Sequence, residues 1–507
     1  MIGRRHIGEG RLAVAAFTVG MGIMAVEITA SRILAPYFGA SMFVWTSLIV
    51  TILLALSIGY WAGGRLAERV EGRLCLGPLL MAAAALLIVG ERIINWFTLT
   101  LTDFLFAAES AFAVLFLGSF VVSFVVFALP VFLAAAAGPV ILKEWSRTGQ
   151  DIGRVSGRYF ALSTVGSALG TVLPTLVLVP QLGARLTTLL FAAIFLAVGA
   201  LLLPRRRRLL AGLVGLPLAA SLIWSPTPRS EKVIHETETP YQLIRVEQDG
   251  PWRHLKFNEG LGIQSVYAPD EAQTLMYYDY LAALPGVRGL TEDGSAVFLG
   301  LAGGSAVRQF QSQLRPEELP EMTGVEVDPG VIEVARRYFA LDELPLEVVN
   351  QDARVFLAAR ARRHDFIFVD AYSTQIYIPP HLATVEFFRL LASRLGDGGI
   401  AAFNINAPSE DSPLLRTLLN SISAVFPEVQ LVPVSGSWNY IVVASSRPFE
   451  LGPAATALPA GYARVARDLR SARSVTHDPA GPVFTDDRAP VEMMTDKMVL
   501  EAFLGGS

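Results

Sequence analysis

Cysteine is all but missing: Cys75 is the only one among 507 residues. A single thiol excludes an intrachain disulfide and a thiolate metal cluster. The six histidines fall at no metal-ligand spacing, so no metal site is expected. Internal repeats and inverted symmetry are also lacking, which argues against a dedicated transporter. Charge is scarce, at 17% of residues, and unevenly spread. Residues 1–225 hold 17 Lys+Arg against 9 Asp+Glu, whereas the remainder holds 24 against 36. A net acidic second half argues against nucleic acid as a partner. It suits a cationic ligand and equally suits an ordinary solvated surface.

Long apolar runs fill the first half. Segments able to span a bilayer lie near 12–35, 43–63, 76–96, 110–142, 160–180 and 184–204. A short seventh, 209–224, carries Gly215 and Pro217. The first run is too long, and too soon followed by others, for a cleaved signal peptide. The run 110–142 is long for one crossing, and Pro130 or Gly138 is placed to kink it. Arginine and lysine cluster before the first span, after the second, after the fourth and after the sixth, which puts the N-terminus in the cytoplasm. Glu27 falls inside the first span, where it faces a cavity or braces the bundle. GSALG (166–170) has the small-xxx-small pattern of a close helix contact. Residues 1–225 are therefore expected to form an α-helical transmembrane bundle of six or seven spans.

The second half is organised around 296–373. Short β-type runs there end in Gly or Asp and are separated by helix-type segments. This predicts a parallel sheet with crossover helices and a ligand at the carboxyl ends of the strands. Gly300, Gly303 and Gly304 allow backbone to approach a ligand at a helix start. Glu326 ends the second strand, where a carboxylate can accept both hydroxyls of a ribose, and Asp352 follows the third, where it can accept from an exocyclic amine. The spacing GLAGGSA is not that of a dinucleotide fingerprint. Together these residues favour an adenosine site. Such a ligand is cytosolic, which places this half inside if 209–224 does not cross and sets the reading against a crossing seventh span.

Before the main sheet, 225–240 reads as a linker. Residues 239–265 read as strands with tight turns, and 268–285 as an amphipathic helix. The expected domains are 1–225, a linker and small β domain with helix over 226–290, and an α/β Rossmann-like nucleoside-binding domain over 291–507. The tail 485–494 is expected to pack back near the site, and 372–380 to form a lid that excludes water.

A YQ-x-I segment, a Tyr-x-acid helix, a glycine turn, an acid, a DA pair and a V-D loop, in this order over roughly 237–446, resemble the spermidine synthase family of aminopropyltransferases. With its apolar first half, the whole chain resembles bacterial membrane-fused spermidine synthase-like proteins. The resemblance implies nucleoside contacts from Gln242, Gln264, Gly300, Gly303, Gly304, Glu326, Val327, Asp352 and Ala353. It implies substrate contacts from Tyr277, Tyr278, Asp279, Tyr377 and Trp438, with Asp370, Tyr372 and Ser373 in the catalytic loop. It implies no cofactor beyond S-adenosylmethionine or its decarboxylated form as substrate, no metal, a homodimer, and a multi-pass inner-membrane location.

Tyr278 stands where the family usually has His and Asp279 where it has Glu, and two further departures bear on mechanism. Gly303 stands where the family has the Asp that holds the donor's primary amine, and Ser373 where it has the Asp that deprotonates the attacking amine. A serine near neutral pH cannot replace an ionised carboxylate as base. The leading expectation is therefore a transferase that cyclises S-adenosylmethionine and releases methylthioadenosine. The alternatives are an aminopropyltransferase using decarboxylated S-adenosylmethionine and a polyamine, with Asp279, Asp370, Tyr372 and Tyr377 around the amine, and a nucleoside-sensing membrane protein without turnover.

Overall fold

A computed structural model describes residues 7–38, 42–106, 117–203, 232–258, 262–288, 294–372 and 376–504. The chain divides into two compact units, Met1–Ser230 and Glu231–Ser507. The expected spans near 209–224 and the first part of 110–142 lie outside the described residues.

The first unit is helical: α1 (Glu9–Phe38), α2 (Met42–Arg69), α3 (Gly72–Phe106), α4 (Gly118–Ser146), α5 (Ile152–Leu173) and α6 (Val179–Leu202). Among the described residues, five segments are long and apolar enough to cross a membrane. The fifth, Ile152–Leu202, joins α5 to α6 through a wide π turn, Pro174–Leu178. It breaks at Gly183, whose φ of 81° and ψ of 161° belong to no helix. The break explains how 51 continuous residues come to cover the two spans read from sequence. A similar π turn, Phe124–Ala128, interrupts α4 just before Pro130. A ring that blocks an i→i−4 bond leaves a wider turn as the local solution.

Small residues set the packing of α1 on α5. A Cβ on Gly166 would lie 2.2 Å from the carbonyl oxygen of Phe17, and one on Gly170 would lie 2.0 Å from that of Met21. The helix-contact reading of GSALG thus corresponds to backbone resting on backbone. Glu27, on α1, is half-buried.

The second unit opens with a four-stranded antiparallel meander, β1 (Val233–Glu238), β2 (Leu243–Asp249), β3 (Trp252–Phe257) and β4 (Ile263–Tyr267). β1 falls in the stretch expected as linker, because Val233–Glu238 finds a partner in β2. The helix expected over 268–285 is reduced to a 3-10 segment, Tyr277–Ala283, and a short turn. Leu275, with φ 59°, stops helical structure from reaching further back.

The main sheet has eight strands in the order β12-β10-β11-β9-β8-β5-β6-β7. These are β5 (Ser295–Leu299), β6 (Glu321–Glu326), β7 (Leu346–Asn350), β8 (His364–Val369), β9 (Leu395–Asn406), β10 (Glu428–Pro433), β11 (Asn439–Ser445) and β12 (Arg473–Ser474). Strands β5 to β9 are parallel, as the alternation of runs predicts, but β10, β11 and β12 are antiparallel. Alternate residues of β5 enter different cores. Ala296 and Phe298 pack on one face of the sheet and Val297 and Leu299 on the other, which is why this strand reads as an unbroken apolar run. The crossover helices that bear on the site are α7 (Ser305–Gln311), α8 (Pro329–Tyr338) and α9 (Ala353–Ala359), followed by the C-terminal α10 (Val491–Leu504). From β5 the chain runs outward through β6 to β7, then returns to β8 on the other side of β5. This is the topological switch point, where a crevice opens at the carboxyl ends.

Gly170→Leu is expected to separate α1 from α5, because the neighbour is backbone and cannot yield. The measurement is thermal unfolding of the detergent-purified chain. A melting temperature lowered by several degrees is expected for Gly170→Leu, and little change for Gly157→Ala, whose Cβ meets nothing within 4 Å.

Candidate functional site at the carboxyl edge of the sheet

The crevice is built where β5 and β8 end. Gly300, at φ 90°, turns the chain so tightly that a Cβ there would stand 2.4 Å from the carbonyl oxygen of Asp370. Only glycine allows this approach. The N–H of Asp370 donates to the carbonyl of Leu299 at 2.8 Å, which continues the β5–β8 ladder by one residue. The Asp370 side chain then has two donors. Tyr277 gives its hydroxyl hydrogen to Oδ2 at 2.6 Å, and Asn404 gives an amide hydrogen to Oδ1 at 2.9 Å. Burial pushes the Asp370 carboxyl up to about 6, while these two donors pull the other way. The rings of Tyr277 and Tyr278 lie 4.0 Å apart, and both residues are buried. Burial raises both phenols, and the Asp370 charge adds to the effect.

The glycine turn is closed from the meander. The N–H of Gly303 donates to the hydroxyl of Ser265 at 2.9 Å, and Ser305 donates to the same oxygen at 3.2 Å. A Cβ on Gly303 would meet Ser265 Cβ at 2.7 Å and Phe339 Cδ1 at 3.0 Å. Gly304, at φ 83°, is the N-cap of α7. Ser265 thus occupies the space that a side chain at position 303 would need. Gln264, next to it on β4, is half-buried.

Glu326 and Asp352 sit at the successive strand ends as the sequence places them. Glu326 accepts from the N–H of Ala302 at 3.0 Å and of Asp328 at 3.1 Å. Burial raises its carboxyl nonetheless. Asp328 caps α8 and accepts the Thr239 hydroxyl at 2.6 Å. Gln242, buried, bears on the same carboxylate. Val327, between them, is exposed, and its carbonyl accepts from Asn350 at 2.9 Å. Asp352 caps α9 through Oδ1, which accepts from the N–H of Arg354 and Val355, each at 2.9 Å. Its Oδ2 lies 3.0 Å from His381 Nε2. Partial burial would raise Asp352, but the Val355 N–H and His381 outweigh it and hold the carboxyl below its ordinary value. Ala353 begins α9 and is buried.

The tail reaches the same edge. Asp486 pairs with Arg354 through contacts of 2.8 and 2.6 Å and accepts the Thr384 hydroxyl at 2.7 Å. Tyr377 gives its hydroxyl hydrogen to Asp496 on α10. Tyr372 is pinned to β9, donating to the carbonyl of Asn404 at 2.9 Å and accepting from the N–H of Asn406 at 3.2 Å.

The structure therefore brings Gly300, Gly303, Tyr277, Tyr278 and Asp370 together and sets Glu326 beside the turn. It does not bring in Asp279, which is turned into its own loop. Its oxygens accept from Thr274 N at 2.8 Å, Thr274 Oγ1 at 2.7 Å and Leu275 N at 2.9 Å. Trp438 is exposed in the turn before β11. Ser373, with Gln375, lies outside the described residues. Among the described residues, no group of three or more His, Cys, Asp or Glu could hold a metal ion. Sequence reasoning missed Ser265, His381, Asn404 and Asn439. Asn404 alone carried a signal, as a polar residue inside the run GIAAFNIN.

Residues 304–448 match the spermine/spermidine synthase domain. A probable polyamine aminopropyl transferase of Bifidobacterium longum is 28% identical over 305 residues, spanning 55% of this chain and 64% of that protein. Polyamine aminopropyltransferase 2 of Ralstonia nicotianae is 26% identical over 484 residues, 87% of this chain and 88% of its own length. That share is too large to be confined to the second unit. Among solved structures, a probable spermidine synthase from Corynebacterium glutamicum superposes with a TM-score of 0.41 at 19% identity, over 51% of this chain and 97% of that one.

Gly303→Ala is expected to cost about 1–3 kcal/mol by overpacking against Ser265 and Phe339. Removing the Ser265 side chain in the double variant Gly303→Ala/Ser265→Gly should return part of that loss. Thermal unfolding of wild type and the two variants reads both effects.

Proposed function

We propose, from the match of residues 304–448 to the spermine/spermidine synthase domain, that this chain is a membrane-bound alkyltransferase acting on the carbon chain of a sulfonium nucleoside. The reading best supported is aminopropyl transfer from decarboxylated S-adenosylmethionine to a polyamine. The attacking amine forms a C–N bond as the C–S bond breaks. The sulfur keeps the electron pair and leaves as neutral methylthioadenosine, and the amine gives up a proton. The leaving group is already activated by its positive charge, so the protein's part is alignment and desolvation. Glu326 and Asp352 would take the ribose and base. The carrying observation is Asp370, a half-buried carboxylate at the switch point with both oxygens engaged by neutral donors. It can hold an ammonium group beside the reacting carbon and receive its proton.

A specific observation also favours a second reading. No side chain fits at Gly303, and the wall there is made of Ser265 and the Phe339 ring, neither of which is charged. A neutral wall does not repel a donor that keeps its carboxylate, namely S-adenosylmethionine itself. Attack of that carboxylate on its own γ-carbon would give homoserine lactone and methylthioadenosine, and attack of its amine would give azetidine carboxylate. In either reading the helical unit holds the enzyme in a lipid bilayer with the second unit on the cytoplasmic side, and two copies associate as a homodimer.

The test is product analysis by mass spectrometry on the full detergent-purified chain. Spermidine from decarboxylated donor plus putrescine supports aminopropyl transfer. Lactone from S-adenosylmethionine alone supports cyclisation, and release of methylthioadenosine from neither donor overturns both. Because the reaction needs ionised Asp370, kcat should fall as pH drops through about 6, and Asp370→Asn should lose at least about a hundredfold of activity.

A further inference from the structure

Asp370 is engaged from two sides, and one of its two donors has no assigned role. β8 and β9 run parallel with Val369 opposite Phe403, so the next pair outward is Asp370 and Asn404, side by side at the carboxyl edge. Asn404 is 5% exposed, and its Nδ2 donates to Asp370 Oδ1 at 2.9 Å. Its own Oδ1 accepts from Asn439 Nδ2 at 2.8 Å. Asn439 stands on β11, opposite Asn406, and its Oδ1 accepts from the Ser437 hydroxyl. An amide has one donating and one accepting end, whereas an ionised carboxylate only accepts. The charge at the inner end therefore fixes the direction of the whole row. Asp370 requires N–H from Asn404, whose oxygen then requires N–H from Asn439.

We propose that Asn404, oriented by Asn439, is a positioning residue. It holds the Asp370 carboxylate in one rotamer, with Oδ1 toward β9 and Oδ2 toward Tyr277, and leaves the remaining lone pairs for the incoming group. This rests on the transferase reading above. The titratable groups around Asp370 are the phenols of Tyr277 and Tyr278, from the 3-10 segment, and of Tyr372, from its own loop. All three are raised by burial and stay neutral in the working range. Among the described residues no cation takes part in its titration. The anion is thus stabilised by two neutral hydrogen bonds, and Asn404 supplies one of them.

The test is the pH dependence of methylthioadenosine release by the full chain. Asn404→Leu keeps the shape and removes the donor. The acid limb of kcat should move upward by roughly one pH unit, a tenfold loss on the acid side, with KM for the nucleoside little changed. Asn439→Ala, at a half-buried position, should move the limb the same way by less, and it serves if Asn404→Leu fails to fold. A limb that stays in place in the variants that fold, while kcat and melting temperature fall together, would make the row merely structural and overturn the proposal. If the wild type turns over neither donor, the transferase reading fails instead. Carbon-13 NMR of labelled aspartate then decides the positioning role alone, an unmoved Asp370 titration in Asn404→Leu counting against it.

Discussion

A carboxylate half-buried at the switch point of a sheet has to be solvated largely by the protein, and Asp370 sets that requirement for everything around it. Its two donors come from unrelated parts of the chain, Tyr277 from the segment between the meander and the sheet and Asn404 from β9. The glycine at 300 follows from the same constraint, since its turn rests against the Asp370 carbonyl. With no charged partner among the described residues, the carboxyl is pushed up to about 6 by burial, against the pull of its hydrogen bonds. A group poised there can be an anion toward an ammonium ion and an acceptor toward its proton.

The two other acids at the strand ends are engaged differently. Glu326 and Asp352 each spend accepting capacity on backbone N–H groups, which fixes their rotamers before any ligand arrives. A carboxylate has about four accepting positions, so capping and ligand binding need not compete. The C-terminal segment adds a second layer at this edge. Asp486 pairs with Arg354 next to Asp352, and Asp496 receives the Tyr377 hydroxyl, so the tail holds both the start of α9 and Tyr377. This agrees with the packing expected for 485–494. Tyr377 itself is thereby turned to α10.

In the helical unit the π turns at Phe124–Ala128 and Pro174–Leu178 share one cause. Each π turn lies at or just before a proline, Pro130 in one case and Pro174 and Pro180 in the other. Gly183 then separates two stretches that composition alone would fuse. Elsewhere glycine does the opposite, bringing α1 and α5 together until backbone touches backbone.

The order of elements was legible in the sequence because it depends on local rules. Apolar length marks the helices, and β-type runs closed by Gly or Asp mark β5 to β8. The motif order carried the resemblance, and Gly300, Glu326 and Asp352 were identifiable because their positions follow from where strands end. Pairing was not legible. Nothing local shows that Val233–Glu238 joins β2, that β10 and β11 run antiparallel, or that Leu275 cuts short an amphipathic pattern. The roles of Asp279, committed to Thr274 and Leu275, and of Ser265, filling the space beside Gly303, were likewise decided by tertiary contacts. Asn404 shows the division most directly. The chain places an amide in an apolar strand, but only the alignment of β8 with β9 puts it against a carboxylate 34 residues away in sequence, because hydrogen bonds between side chains are fixed by strand register and not by sequence distance.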